Sequence, residues 1–133
     1  MVKIVVIEDN LSSMKLTSFL LKSAGYQVLP ASNAKTGLVL IRAEMPALVL
    51  MDVKLPGMNG LDATRQLKAE SDLAHIKVIA LTAYAMSGDE EMTLAAGCDG
   101  YMSKPIHRLG FLTLVSKILH DVTCLDDTHE KKG

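Results

Sequence analysis

A chain of 133 residues is the length of one domain, long enough to bury roughly two-thirds of the surface its unfolded form exposes. Its 14 basic and 15 acidic residues leave a formal charge of −1, which excludes a general electrostatic attraction to nucleic acid or anionic lipid. The composition is 49% apolar with no Trp, so aliphatic side chains and eight Met must fill the core, and charges or Pro interrupt every apolar run short of a membrane span.

Residues 3–7 (KIVVI) form a continuous β-branched run and read as a strand buried on both faces. The run ends in Glu8-Asp9, and Asn10 is placed to cap a helix with Met14, Thr17, Leu20, Leu21 and Ala24 at helical spacing, stopped by Gly25. Residues 26–29 make a short strand. Ser32 or Asn33 caps a second helix with Leu38, Ile41 and Met45 on one face, ended by Pro46.

Residues 48–52 (LVLMD) are a third strand of the buried, parallel type, closed by a single carboxylate. The Pro and Gly residues of the following LPGMNG loop force a turn. A third helix covers residues 61–70, with Leu61, Thr64, Leu67 and Lys68 at helical spacing, and residues 77–81 (KVIAL) form a fourth strand closed by Thr82. Ser87-Gly88-Asp89-Glu90 is a capping box for a helix continued by Met92, Ala95 and Ala96 up to Gly97. Residues 100–103 are a last strand, which runs into Lys104-Pro105. Leu109, Leu112, Val115, Ile118 and Leu119 mark a fifth amphipathic helix, and the sequence after Val122 is polar and charged and is expected to fray.

Five strands alternating with five helices is the pattern of a doubly wound α/β domain with a parallel sheet. The expected division is a folded unit over residues 1–122 and a polar C-terminal tail over residues 123–133. Met1 leads straight into a strand without a signal peptide, and Cys98 and Cys124 lack metal-ligand spacing, which together predict reduced thiols and a cytoplasmic location.

In an open parallel sheet, ligands bind beyond the carboxyl ends of the strands. Glu8 and Asp9, Asp52, Thr82 and Lys104 all fall at such ends. Three carboxylates crowded together repel unless a cation joins them, and all-oxygen ligands with room for water suit Mg²⁺. A hydroxyl and an ammonium opposite them supply what a phosphoryl group needs, so Asp52 is equipped to act as a nucleophile toward phosphorus.

With these motifs in hand, Glu8-Asp9-Asn10, LVLMD with LPGMNG, Leu81-Thr82-Ala83 and Lys104-Pro105, the sequence resembles a receiver domain of a two-component response regulator, of the single-domain chemotaxis-Y-like kind. The resemblance implies a flavodoxin-like sheet of order 2-1-3-4-5 and phosphorylation of Asp52 by a histidine kinase or a histidine phosphotransfer protein. It further implies Asp9 and Asp52 as Mg²⁺ ligands, with the backbone carbonyl of Lys54 and with Glu8 acting through water. Thr82 and Lys104 would hold phosphoryl oxygens, Pro105 would follow a cis bond, and Tyr101 would move with Thr82. A downstream protein would dock on the fourth helix, fifth strand and fifth helix, with no direct contact to nucleic acid or membrane.

One departure is Ala47, where relatives often carry an acid before the third strand; it lies at the far end of that strand. The four histidines, His75, His107, His120 and His129, form no ligand pair and read as surface residues, and Cys98 reads as a small buried filler. A phosphohydrolase working through an aspartyl phosphate needs a second acid two residues after the nucleophile, where this chain has Lys54. A nucleotide-binding module needs a glycine-rich loop after the first strand, and none follows.

Overall fold

The computed structural model of the protein describes residues 2–55, 57, 59–82, 89–103 and 107–132; side chains are described for all of these except 89, 90, 92 and 121–132. Strands and helices alternate in the order β1 (Lys3–Ile7), α1 (Leu11–Ser23), β2 (Gln27–Ala31), α2 (Ala34–Glu44), β3 (Leu48–Asp52), α3 (Gly60–Ala69), β4 (Lys77–Thr82), α4 (Asp89–Ala95), β5 (Gly100–Ser103) and α5 (Arg108–Lys132). All strand pairs are parallel, and the sheet order is β2-β1-β3-β4-β5. This is the flavodoxin-like doubly wound sheet that the alternation of runs and the resemblance both imply.

The period of two along each strand divides the core into two layers. Val5, Ile7, Val49, Met51, Val78 and Ala80 pack with α2, α3 and the end of α4, while Ile4, Val6, Leu48, Leu50, Ile79 and Leu81 pack with α1 and α5. β3, which is central and buried at all five positions, has no polar face at all, the condition that wrote LVLM as an unbroken apolar run.

Local signals set most helix ends. Asn10, Asn33 and Asn59 each accept a hydrogen bond from the backbone N–H three residues on, at 2.9, 2.8 and 2.9 Å. Of the two candidates for the α2 cap, Asn33 is the one used. Gly25 and Gly97 follow α1 and α4 with φ of +94° and +104°. Ser87 and Gly88, half of the expected capping box, lie outside the described residues.

Several elements differ from their sequence pattern. β2 covers residues 27–31 rather than 26–29, and it tolerates Pro30 because it is an edge strand. Met45 does not join the buried face of α2. It is the C-cap, at φ +47°, the only non-glycine with positive φ among the described residues, because Pro46 bars the helix from continuing. Ala24 likewise is the exposed C-cap of α1, and on α4 Thr93 is buried where Ala95 is exposed.

In α5 the buried stripe is Phe111, Val115 and Ile118, and Leu109 is 79% exposed. The 4–3 spacing of that stripe aims Phe111 at the sheet, and Leu109, two residues earlier, falls on the outer side. α5 is helical through Lys132, so the stretch expected to fray as a polar tail continues the helix. Among the described residues, no helix is long and apolar enough to cross a membrane.

Candidate functional site

The register of the sheet assembles the site. Ile7 pairs with Met51 and Met51 with Ala80, so β1, β3 and β4 end at nearly the same height. Glu8 keeps the parity of Ile4 and Val6, and its N–H continues the ladder to Ala31 O at 3.0 Å. Asp52 keeps the parity of Leu48 and Leu50 on the neighbouring strand, so the two carboxylates project to one side. Asp9 follows at once. One carboxylate oxygen from each of Glu8, Asp9 and Asp52 lies within 4.8 Å of the others.

Glu8 is 2% exposed and Asp52 5%, whereas Asp9 faces solvent. Backbone donors orient the two buried carboxylates: Asn10 N–H donates to Glu8 Oε2 at 3.1 Å, and Lys54 N–H to Asp52 Oδ1 at 3.1 Å. Each bond crosses two residues, so each carboxylate is aimed by the turn that follows its own strand. At an effective dielectric of about 20, two such charges at this spacing repel by on the order of 3 kcal/mol, and a divalent cation reverses the sign of that interaction.

The donor set fits Mg²⁺: it is all oxygen, and it is open to solvent on the Asp9 side for water ligands. With Mg–O bonds of about 2.0–2.1 Å, oxygens sharing one ion stand roughly 3–4 Å apart, so these three reach an ion directly or through a bridging water.

Gly60 is a site residue that the sequence pattern passes over as a turn glycine. A Cβ there would press into the Asp52 carbonyl oxygen and come within 2.9 Å of Met51 Cγ. Gly60 N–H also donates to Val53 O at 2.9 Å. The first turn of α3 therefore rests directly on the backbone that carries Asp52. The one available signal was its place as the last glycine of LPGMNG, immediately before an apolar helical pattern.

Thr82 ends β4 and is 3% exposed. Ala80 pairs with Tyr101 and Thr82 with Ser103, so Thr82 and Tyr101 lie on the same face of adjacent strands, one pleat apart. Tyr101 is partly buried there. The Lys54 side chain is exposed beside Asp52. Lys104 and Pro105 lie outside the described residues, as does Tyr84, two positions after Thr82 in the sequence. The structure thus brings Glu8, Asp9 and Asp52 together, with Thr82 and Tyr101 aligned on the neighbouring strands.

The model of the response regulator receiver domain family matches residues 4–116, which is nearly the whole folded body and all the strand ends described above. The chain belongs to that family. It is 42% identical over 118 residues to the polar-differentiation response regulator DivK of Brucella anthropi, covering 89% of this chain and 96% of the relative. Among solved structures, it is similar to a CheY-like response regulator receiver domain protein from Methanospirillum hungatei. That match has a TM-score of 0.81 and 31% identity, and covers 100% of this chain and 99% of the other. It is also similar to the receiver domain of the sensor histidine kinase PA1611 from Pseudomonas aeruginosa, with a TM-score of 0.82 and 30% identity, covering 88% and 96% of the two chains. That crystal structure has a magnesium ion coordinated in its active-site cleft. The receiver domain is a unit of two-component signalling, and this chain carries the acidic cluster in which such a domain can hold a metal.

Cys98 has no part in this chemistry. It is buried, and burial pushes its thiol up from the ordinary range, which keeps it protonated and unreactive.

Proposed function

We propose that this receiver takes a phosphoryl group onto Asp52 from the phosphohistidine of a histidine kinase or a histidine phosphotransfer protein, and that the modified form switches a partner-binding face. The observation that carries this reading is the clustering of Glu8 and Asp9 on Asp52, whose Oδ1 is already held by the Lys54 N–H. The turn after β3 thus aims the carboxylate at the end of the sheet, where an incoming phosphorus would approach. An Asp52 oxygen forms the new O–P bond as the N–P bond breaks, and the departing imidazole takes up a proton. Asp9 and Asp52 would hold Mg²⁺ with the Lys54 backbone carbonyl, and Glu8 would contribute through water; the ion supplies charge neutralisation for the transferring group. The Thr82 hydroxyl and the Lys104 ammonium bind the remaining phosphoryl oxygens.

Phosphorylation adds close to two negative charges at the strand ends. Thr82 is drawn toward them, and Tyr101, one pleat away on the same face, turns into the space released. A downstream protein then docks on the α4–β5–α5 face. We place the receiver unit in residues 1–122, with 123–133 as an appendage, and the protein in the cytoplasm. The net charge of −1 favours a protein partner over direct contact with nucleic acid or lipid. The chain acts as a switch whose own chemistry is confined to accepting the phosphoryl group and slowly losing it.

The test is incubation with acetyl phosphate and Mg²⁺, followed by mass spectrometry. Modification confined to Asp52 and lost with EDTA is the expected result; modification elsewhere, or none, overturns the assignment. In Thr82→Ala, phosphorylation persists while the phosphorylation-dependent gain in partner affinity falls. An unchanged gain would remove Thr82 from the link.

A further inference from the structure

The helix that follows Thr82 is fastened to the body at its far end. Gly97 N–H donates to Leu94 O at 3.0 Å and Cys98 N–H to Thr93 O at 3.1 Å, closing α4, and Gly97 takes the left-handed φ that ends helices. Asp99 then engages β4 twice. Its N–H donates to Val78 O at 2.7 Å, and its Oδ2 accepts from Val78 N–H at 2.9 Å.

The same Asp99 Oδ2 accepts from Lys68 Nζ of α3 at 3.1 Å. Lys68 Nζ also donates to Ile76 O at 2.7 Å and to Ala74 O at 3.2 Å, which uses all three donors of one ammonium. A Cβ on Gly97 would come within 2.9 Å of Lys68 Cγ, so the lysine stem lies against the turn. Beside it, the buried Cys98 Sγ stands 3.9 Å from Thr64 Oγ1. Lys77 Nζ of β4 also lies 3.8 Å from Asp99 Oδ1, but the shorter, part-buried Lys68–Asp99 pair is the one that joins α3, the connection from α3 to β4, the start of β4 and the α4–β5 turn. Among the described side chains of α4 and the residue after it, Thr93 and Ala96 are buried and Glu91, Leu94 and Ala95 are exposed, Leu94 at 54%.

We propose that the Lys68–Asp99 pair is the fulcrum of the switch: it pins the C-terminal end of α4 to α3, so the response to a charge at Asp52 is a swing of the N-terminal part of α4 about the Gly97–Asp99 turn. This rests on the phosphorylation reading above. A turn tied to a rigid strand by one backbone bond and one bond to its own carboxylate has one arrangement, and a helix anchored at one end pivots instead of sliding. The pivot carries the Thr82 displacement to the partner face, while the pairing of β4 with the α4–β5 turn stays intact.

Residue-resolved amide exchange by NMR, with and without beryllofluoride plus Mg²⁺ as the probe, tests it. In the parent protein, protection of amides 89–94 changes at least severalfold, while the Val78 and Asp99 amides change less than twofold. In Lys68→Met, which keeps the stem but loses the ammonium, the Val78 and Asp99 amides exchange at least tenfold faster and beryllofluoride alters both ends of α4. Lys68→Arg, which retains a charged donor, restores the parent pattern; Asp99→Asn, which keeps an acceptor for Val78 N–H, gives an intermediate one. A parent response of equal size at both ends of α4 overturns the fulcrum alone. A beryllofluoride response absent from residues 52–54 overturns the phosphorylation reading, and the fulcrum with it.

Discussion

The two ends of β1 and β3 carry charge in opposite ways. At the amino edge, Lys3 meets Glu44 across 3.1 Å, a cation against an anion, both half-exposed. A cavity of about 630 Å³ opens there, walled by Val2, Tyr26, Met45, Pro46, His75 and His120. At the carboxyl edge, Glu8, Asp9 and Asp52 bring like charges within 4.8 Å, two of them buried. Matched charges at a surface contribute little and are tolerant of change. Like charges gathered together repel one another, and a bound cation would relieve that repulsion. The same strands thus end in a structural edge and a chemical one.

The largest expected effect that sharpens this comparison is at Gly60. Gly60→Ala drives a methyl into the Asp52 carbonyl and should cost about 2–3 kcal/mol in urea denaturation, together with most of the phosphorylation rate. Gly25→Ala, at the amino edge, meets no atom within 4 Å and should cost only the strain of its φ of +94°, about 1–2 kcal/mol, leaving phosphorylation alone. Equal losses of activity in the two variants would dissolve the distinction between the edges.

Next is Asp9→Asn. It removes a proposed ligand and relieves repulsion, so Mg²⁺ affinity should fall tenfold or more, about 1.4 kcal/mol, in a fluorescence or NMR titration. The Tm in EDTA should hold or rise, because a charge is removed from a crowded group and no apolar contact is lost. The stabilisation that Mg²⁺ gives the parent by binding the native state should then shrink. Unchanged Mg²⁺ affinity would count decisively against the metal site as drawn.

A smaller effect concerns how long the phosphoryl group lasts. Lys54, two residues after Asp52, and Tyr84, two after Thr82, are proposed to border the in-line approach of water and to screen it. In a Lys54→Asn, Tyr84→Glu double variant, loss of phosphate should quicken severalfold, and a rate no faster than the parent's would end the screening idea. Slow loss would suit a relay intermediate or a developmental output. The smallest effect is at the amino edge: Lys3→Met should shift stability by no more than about 0.5–1 kcal/mol and leave Mg²⁺ binding and phosphorylation unchanged.

Strands buried on both faces advertise themselves, because LVLM and KIVVI have no polar side to write into the sequence; β1, β3 and β5 begin and end where their runs do. Asparagine caps and glycine stops are equally local, since the side chain or the φ that ends a helix belongs to the residue itself. The acidic cluster was legible for the same reason: Glu8, Asp9 and Asp52 stand at the ends of runs that any reader can see. The edge strand β2, half-exposed and carrying Pro30, gives a weaker signal, and its bounds moved.

Tertiary structure alone decided the rest. Leu109 and Phe111 are both apolar and both within the α5 pattern, and only the direction from which the sheet approaches the helix selects Phe111. Gly60 looks like any turn glycine until α3 is laid against the Asp52 carbonyl. Lys68 and Asp99 are 31 residues apart, and nothing local couples them before β4 brings Val78 between. By itself, the sequence determined that acidic residues close β1 and β3 and that Thr82 closes β4, because apolar runs and caps are properties of adjacent residues. How close those ends come, and what holds the helices against them, depends on the parallel register of strands far apart in the chain, which no local pattern encodes.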